Sequence, residues 1–246
     1  MDSYTFLAGS YDLLTTDVGY PKWADYIEWH FSRQDTPVES VVELACGTGS
    51  LTRLMAERGY DMTAIDLSPD MLTVAAQKCE DLPVQFLCQD MSKLTLLEPV
   101  DAIICCLDSV NYVTKPAALQ RAFQRAYRYL KPGGLFLFDA KTPLALEGAD
   151  DQIYLDETED VFCVWRGEYD PKRRICGYGI DLFCRREDGA WERESEYHEE
   201  YAYTPEELEE YLCAAGFSGI KQYGNLKKRA PKEGEERVFF AARKEM

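Results

Sequence analysis

The stretch from Val38 to Ser50 constrains the fold of this chain more than any other segment. Its middle part, SVVEL, is an apolar run with β-branched residues, which favours a strand buried on both faces. Gly47 and Gly49 follow, and a helical pattern begins at Leu51. A strand, a glycine turn and a helix in this order place backbone N–H groups where they can receive an anionic group of a ligand.

Glu43 narrows the kind of ligand that this turn can bind. A carboxylate this close to the turn would repel a pyrophosphate, whereas it can hold the ammonium group of an amino-acid-like ligand. The alternative is an ordinary strand-to-helix turn with a solvated glutamate.

Strands and helices alternate along the first part of the chain. Predicted strands cover residues 41–44, 62–66, 84–88, 100–107 and 135–138, and helical patterns lie between most of them. Such alternation implies a parallel sheet, in which ligands bind beyond the carboxyl ends of the strands. Polar clusters follow several of these ends, which predicts a site at that edge. The segment Lys131–Gly134 is predicted to end the helix that precedes the fifth strand.

The pattern changes after Pro143. Residues 151–203 are typical of antiparallel ribbons, with turns at Asp170-Pro171 and Asp188-Gly189. Thr204 then begins a helix in which Glu207 is placed to complete a capping box. Residues 220–226 and 237–242 predict a final antiparallel pair of strands at one edge of the sheet.

The motif Glu43–Gly49, ELACGTG, resembles the glycine-rich first motif of class I S-adenosylmethionine (SAM)-dependent methyltransferases. The whole chain resembles bacterial small-molecule methyltransferases of that superfamily, which share its aromatic N-terminal helix, its inserted antiparallel sheet and its LxxAGF helix. The resemblance implies an α/β, Rossmann-like, seven-stranded sheet with the order 3-2-1-4-5-7-6. In that sheet the last strand is antiparallel, helices cover both faces, and an antiparallel β lid is inserted.

The expected organisation is therefore a SAM-binding domain interrupted by a lid. The domain covers residues 1–149 and 204–246, and residues 1–34 form a helical cover over the cofactor. The lid covers residues 150–203.

Two acids are predicted to bind the nucleoside. Asp66 ends the second strand, where a carboxylate accepts the hydroxyls of a ribose in both dinucleotide and SAM enzymes; a helix cap is the alternative. Asp90 can accept the adenine amine between Leu67, Met71 and Met91, although methionines at this spacing also suit a plain core. With the resemblance, the predicted cofactor-binding residues are Tyr11, Tyr20, Trp23, Glu43, Ala45, Cys46, Gly47, Thr48, Gly49, Asp66, Leu67, Met71, Gln89, Asp90, Met91, Leu107 and Asp108.

The acceptor side is predicted from residues after the fourth strand and from the inserted sheet. The predicted substrate contacts are Asn111, Tyr112 and Tyr201. Along residues 194–203 the tyrosines alternate with Glu196, His198 and Glu200, and parity alone does not tell which set faces the pocket. His198 is the candidate catalytic base, and a surface histidine among glutamates is the alternative.

The predicted function is transfer of a methyl group from SAM to nitrogen or oxygen of a small molecule, leaving S-adenosylhomocysteine (SAH). This in-line displacement needs positioning and water exclusion more than covalent help, so no catalytic triad is expected. One alternative is an NAD-type oxidoreductase, which Thr52 disfavours because it replaces the third glycine of that motif. Another is a non-catalytic SAM-binding or assembly module.

Composition restricts the partners and the compartment. The net charge of −17 disfavours nucleic acid and anionic membranes. No apolar run approaches the length of a membrane span, and the first residues do not form a signal peptide. Nine cysteines without a CxxC pair and only two histidines predict reduced thiols and no metal site. We therefore expect a cytoplasmic monomer or homodimer with a small-molecule partner.

Overall fold

The structure, a computed structural model, describes residue 12 and residues 17–186 and 188–245. The helices in these ranges are α1 (Tyr20–Phe31), α2 (Ser50–Glu57), α3 (Pro69–Lys78), α4 (Pro116–Tyr129), α5 (Pro143–Gly148) and α6 (Pro205–Ala215). The strands are β1 (Ser40–Leu44), β2 (Asp61–Asp66), β3 (Gln85–Cys88), β4 (Val100–Cys105), β5 (Leu130–Lys141), β6 (Ile153–Glu157), β7 (Val161–Asp170), β8 (Ile175–Arg185), β9 (Trp191–Tyr201), β10 (Ser218–Gly224) and β11 (Arg237–Arg243).

The main sheet has seven strands in the order β3-β2-β1-β4-β5-β11-β10. Strands β1 to β5 are parallel, whereas β11 is antiparallel to both β5 and β10. With β10 and β11 as the sixth and seventh strands, this is the order 3-2-1-4-5-7-6. The predicted topology and the terminal antiparallel pair are therefore confirmed.

Hydrophobic cores lie on both faces of this sheet, because alternate strand residues point in opposite directions. On one face, Phe136 and Phe138 of β5 pack with Phe123 of α4 and Leu212 of α6. On the other face, Leu137 packs in a cluster that also contains residues of α1 and α2. Helices on both faces were predicted and are confirmed.

Helices α3 and α6 have side-chain caps at their N-termini, and the capping box expected at α6 is present. The Ser68 hydroxyl accepts the N–H of Met71 at the start of α3. Thr204 and Glu207 form both bonds of the capping box at α6. Gly216 ends α6 with φ of 104°, a conformation that glycine adopts without steric cost.

Some predicted boundaries are wrong, and each has a local cause. Strand β4 ends at Cys105 rather than at residue 107, because Leu107 and Asp108 have φ of 61° and 53°. Strand β5 begins at Leu130 and includes the segment predicted to lie before it. Gly133 and Gly134 are part of the strand because they form backbone hydrogen bonds with Lys244. Helix α5 was not predicted because six residues show too little periodicity.

A second sheet contains four antiparallel strands in the order β6-β7-β8-β9. Its edge strand β9 contacts the loop after β4 of the main sheet, where the Tyr201 N–H donates a hydrogen bond of 2.8 Å to the Asn111 carbonyl. The antiparallel insertion is confirmed, while its role as a lid and the boundaries 1–149, 150–203 and 204–246 stay predictions. No helix in the described ranges is long and apolar enough to cross a membrane.

Candidate active site

One edge of the main sheet collects three of the predicted acids. Parallel pairing aligns Leu44 of β1 with Ile65 of β2, and Asp66 with Cys88 of β3. The carboxyl ends of these strands therefore lie side by side. Glu43, Asp66 and Asp90 occupy or directly follow those ends, so the structure brings them to one edge.

The glycine turn leaves β1 in a conformation that restricts its sequence. Ala45, Gly47 and Gly49 have φ of 55°, 55° and 74°, in the left-handed region. A Cβ added at Gly49 would lie 2.9 Å from the Ala75 Cβ, whereas one added at Gly47 would meet no atom within 4 Å. Gly49 thus lets α2 and α3 approach each other, and Gly47 borders open space. Cys46, which lies between Ala45 and Gly47, is buried.

Asp66 ties the glycine turn to the start of α3. Its two carboxylate oxygens accept the N–H groups of Gly47 and Ser68, each at 2.8 Å. Burial raises the pKa of this carboxyl, and the backbone bonds oppose the rise. Next to it, Leu67 is 70 % exposed, whereas Met71 is buried in α3. Of the two predicted adenine contacts on this side, only Leu67 is at the surface.

Glu43 is not the solvated glutamate of the alternative interpretation. It is buried and accepts a hydrogen bond from the Thr52 hydroxyl. Burial raises its pKa to about 8, Thr52 opposes the rise, and nearby Asp66 adds to it. A buried carboxyl in this setting favours its neutral, protonated form.

The residues predicted to contact adenine also stabilise the loop after β3 through side-chain hydrogen bonds to its backbone. Asp90 accepts the N–H of Ser92 at 2.8 Å. The Gln89 amide binds both the N–H of Thr95, at 2.9 Å, and its C=O, at 3.1 Å. Met91 packs partly buried against the core. The Gln89 side chain therefore shapes the loop, and Asp90 and Met91 lie at the same edge.

Asp108 lies in a buried network of charges that joins the two sheets. Its carboxylate pairs with Lys141 at 2.9 Å and with Arg237 at 2.7 Å. Lys141 also pairs with Glu200 of β9 at 3.0 Å, and Arg237 also pairs with Asp139. The Asp139 carboxylate accepts the N–H of Asp108 at 2.9 Å, which holds the left-handed backbone after β4.

The charges in this network do not balance. Burial would raise the pKa of Asp108, but Lys141 and Arg237 hold it below its usual range. Burial raises the pKa of Asp139 to about 6 and that of Glu200 to about 7, against the pull of Arg237 and Lys141 respectively. Three acids share two bases, so one carboxyl of the network retains a proton readily at neutral pH.

Asn111, a predicted substrate contact, is fully buried. Its amide donates to the carbonyls of Lys141, at 3.1 Å, and Tyr201, at 3.0 Å, and accepts the N–H of Lys141 at 3.0 Å. The side chain therefore clamps the loop after β4 to β5 and β9.

The second sheet presents His198 to the interior. Register places His198 beside Tyr178, and it is 1 % exposed, so the interpretation as a surface histidine is wrong. Its Nε2 lies 2.8 Å from a Glu196 carboxylate oxygen. The ring of Tyr112 approaches His198 edge-on with 6.0 Å between centroids. This interior-facing surface of the second sheet, named the inner face here, also carries Trp165 and Glu200.

The tyrosines of β9 lie on the opposite side. Tyr197 is exposed, and Tyr201 packs against Tyr203 with 4.5 Å between ring centroids. The structure therefore does not place the side chain of Tyr201 on the inner face with His198.

The N-terminal residues predicted to line the cofactor pocket divide into three cases. Tyr11 lies outside the described residues. Tyr20 borders a groove of about 450 Å³ between α1 and α2. Trp23 is buried against Phe239, with the Arg237 guanidinium 5.7 Å from its ring centroid.

Asp12 connects the N-terminal region to the glycine turn. Its carboxylate accepts the Thr48 hydroxyl at 2.7 Å and the Ser50 hydroxyl at 3.2 Å, and it pairs with Lys78 at 2.7 Å. The predicted cofactor residue Thr48 is thus held through its side chain by a residue that the sequence did not single out.

Comparison with known proteins gives one consistent family. The sequence profile described as a methyltransferase domain matches residues 41–134. The protein named "Putative methyltransferase YqeM" of Bacillus subtilis strain 168 is 32 % identical over 244 residues, covering 98 % of this chain and 97 % of that protein. The chain belongs to the class I SAM-dependent methyltransferases.

Other matches support the same family and its fold. A SAM-dependent methyltransferase from Clostridium acetobutylicum has a solved structure with a TM-score of 0.88 and 29 % identity, covering all of both chains. A malonyl-[acyl-carrier protein] O-methyltransferase of Anoxybacillus flavithermus is 39 % identical over 159 residues, which is 60 % of this chain and 61 % of that protein. The protein is therefore an enzyme whose methyl donor is SAM, which confirms both predictions.

The charged partners of Asp108 were not identified from the sequence. Asp139, Lys141 and Arg237 were not singled out, although two of them lie in the apolar strand β5. Charged residues two apart at the end of a buried strand share one face, and that signal could have identified Asp139 and Lys141.

Proposed function

We propose that this methyltransferase transfers the methyl group of SAM to a nitrogen or oxygen atom of a small molecule by in-line displacement. One observation supports this most. The edge that carries Glu43 and Asp66 continues through Asp108 and Tyr112 to the inner face with His198. Donor and acceptor groups can therefore meet at one place on the sheet.

The residues at the donor end fit SAM. Glu43 is a buried carboxyl whose raised pKa suits the arrival of an ammonium group. Backbone hydrogen bonds hold the Asp66 carboxylate, and its remaining oxygen lone pairs can accept ribose hydroxyls. Leu67 beside it is exposed and offers an apolar surface for adenine. We assign Asp90 and Met91 to the outer side of adenine. SAM supplies a methyl carbon bonded to a positively charged sulfur.

At the acceptor end, the second sheet excludes water and supplies the base. We assign residues 150–203 to a lid because its inner face covers the end of β4. His198 takes a proton from an acceptor that arrives protonated, and the Glu196 carboxylate 2.8 Å away orients the imidazole. Tyr112 borders the same space, and Asn111 positions the loop that carries it.

Ligand binding tests the donor assignment. Thermal unfolding is followed with SAM, SAH or NAD. At about 100 times its dissociation constant, a ligand that binds only the native state raises the free energy of unfolding by about 2.7 kcal/mol. We expect SAM and SAH to stabilise the protein and NAD to have no effect. Asp66→Ala should abolish the SAM shift, whereas Asp70→Ala, which removes an acid from the first turn of α3, should keep it.

Turnover tests the acceptor assignment. SAH formation is measured with panels of amines, phenols and carboxylic acids of small size. Product from at least one panel supports methyl transfer to a small molecule. SAM binding without SAH formation on any panel would contradict methyl transfer to these classes of small molecule.

A further inference from the structure

Among the residues that the structure describes, the acceptor end of the site carries more acids than bases. The acids are Asp108, Asp139, Glu196 and Glu200, and the bases are Lys141 and Arg237. Each base contacts two of these acids. The excess of negative charge therefore belongs to the arrangement of buried groups and not to the surface composition of the chain.

An acidic acceptor would find little to bind here. Lys141 is already shared by Asp108 and Glu200, and Arg237 by Asp108 and Asp139. The residues outside the described ranges, which are 1–11, 13–16, 187 and 246, include no lysine or arginine. A carboxylate brought next to Glu200 would meet like charge in a buried setting, which is strongly unfavourable.

The side chains around His198 are those that bind cations. The ring centroids of Trp165 and Tyr112 lie 6.5 Å and 6.0 Å from that of His198. The ring centroids of Trp165 and Tyr178 are 6.4 Å apart. The Lys141 ammonium already lies 5.3 Å from the Tyr178 ring centroid. Aromatic faces with adjacent carboxylates attract organic ammonium groups through the ring quadrupole and through charge.

Asp139 independently indicates that the buried network lacks a positive or hydrogen-bonding group. Its Oδ1 atom is buried and has no hydrogen-bond partner among the described residues, while Oδ2 accepts from Arg237 and from the N–H of Asp108. A buried carboxylate oxygen without a donor is costly, so the network lacks one positive or hydrogen-bonding group.

We propose that the acceptor is an organic amine, which binds as an ammonium ion at the inner face beside Tyr112, with Glu200 and Glu196 as its counter-charges. This inference rests on the proposed function and specifies its substrate class. His198 takes one proton from the ammonium, which frees the nitrogen lone pair. That pair forms the new N–C bond, the C–S bond breaks with its electrons left on sulfur, and the methylated ammonium leaves with its charge intact.

The two histidines of the chain allow a direct test. The imidazole signals of His30 and His198 are recorded by NMR with the protein saturated with SAH, and His198→Asn assigns the second signal. Benzylamine, benzyl alcohol and benzoate, which share one ring scaffold, are titrated in turn at pH 7. We expect benzylamine alone to shift the His198 signal in a saturable manner and to leave the His30 signal unchanged.

Glu200→Gln should weaken benzylamine binding about tenfold. The matched control is Glu199→Gln, which removes the neighbouring acid on the outer side of β9, where it pairs with Arg173. This variant should bind benzylamine as the unmodified protein does. Transfer of labelled methyl from SAM to benzylamine is then measured in the same variants.

Other results overturn the inference. These are benzoate or benzyl alcohol shifting His198 at similar or lower concentrations, no shift with benzylamine, or equal effects of Glu200→Gln and Glu199→Gln. Failure of the proposed function itself has a different readout, since SAH would then fail to stabilise the protein before any amine is added.

Discussion

Glu43 is a buried carboxyl that costs stability in the folded protein and that the proposed function uses as a binding group. Its carboxyl lies under the glycine turn, where burial and Asp66 raise its pKa to about 8 and the Thr52 hydroxyl only partly opposes them. The folded protein therefore keeps a proton on Glu43 at pH values at which an exposed glutamate is ionised. Binding a ligand ammonium would relieve this cost.

Stability should reveal this proton. Because the pKa of Glu43 is higher in the folded than in the unfolded state, the folded state binds more protons between about pH 4.5 and 8. Stability therefore falls as pH rises through this window, by at most about 1.4 kcal/mol per pH unit from this group. Glu43→Gln should remove that slope, as measured by urea unfolding at pH 5, 6, 7 and 8.

The control for this experiment is Glu57→Gln at the exposed end of α2, where the acid pairs with Arg53 on the surface. It should leave the pH dependence unchanged. Parallel stability curves for Glu43→Gln and the unmodified protein would contradict the raised pKa.

At the scale of elements, helix ends follow the local sequence closely. The capping box at α6 was predicted from Thr204 and Glu207, and both of its bonds are present. Glu207 also pairs with Arg174, next to β8, so the same residue links α6 to the second sheet. The cap is thus a local feature with a tertiary partner.

Thr204→Ala should lower the free energy of unfolding by about 1 kcal/mol, because the N–H of Glu207 loses its side-chain acceptor. Chemical denaturation measures the change. Thr73→Ala in α3, where the hydroxyl bonds the Pro69 carbonyl at an exposed position, should change stability by less. Equal losses in the two variants would show that the cap contributes nothing specific.

At the scale of the whole molecule, the buried network joins the two sheets. Lys141 at the end of β5 contacts Asp108 after β4 and Glu200 on β9, and its backbone is held by Asn111. The inner face is therefore fixed relative to the main sheet by charge as well as by packing.

Lys141→Met should destabilise the protein by about 3–5 kcal/mol, because it leaves Glu200 buried without its cation. Adding Glu200→Gln should recover part of this loss. Lys131→Met, which removes a half-exposed lysine from its pair with Asp101, should cost no more than about 1 kcal/mol. Urea unfolding of the variants gives the comparison, and a loss at Lys141 as small as that at Lys131 would contradict a buried bridge.

The sequence alone determined the alternation of strands and helices up to β5, the glycine turn, the capping box of α6 and the position of Glu43, Asp66 and Asp90 at one edge. These features depend on the periodicity of neighbouring residues and on the rule that parallel strands end together. The resemblance to a family added the strand order. The site roles assigned to individual residues remain predictions.

Only the tertiary structure decided which face of β9 is buried and which charges meet there. Lys141 and Glu200 are 59 residues apart, and Asp139 and Arg237 are 98 residues apart. Alternation along β9 separates His198 from Tyr197 but assigns neither to the interior. That assignment depends on how the second sheet packs against the end of β4, where burial and charge pairing act between segments that no local pattern connects.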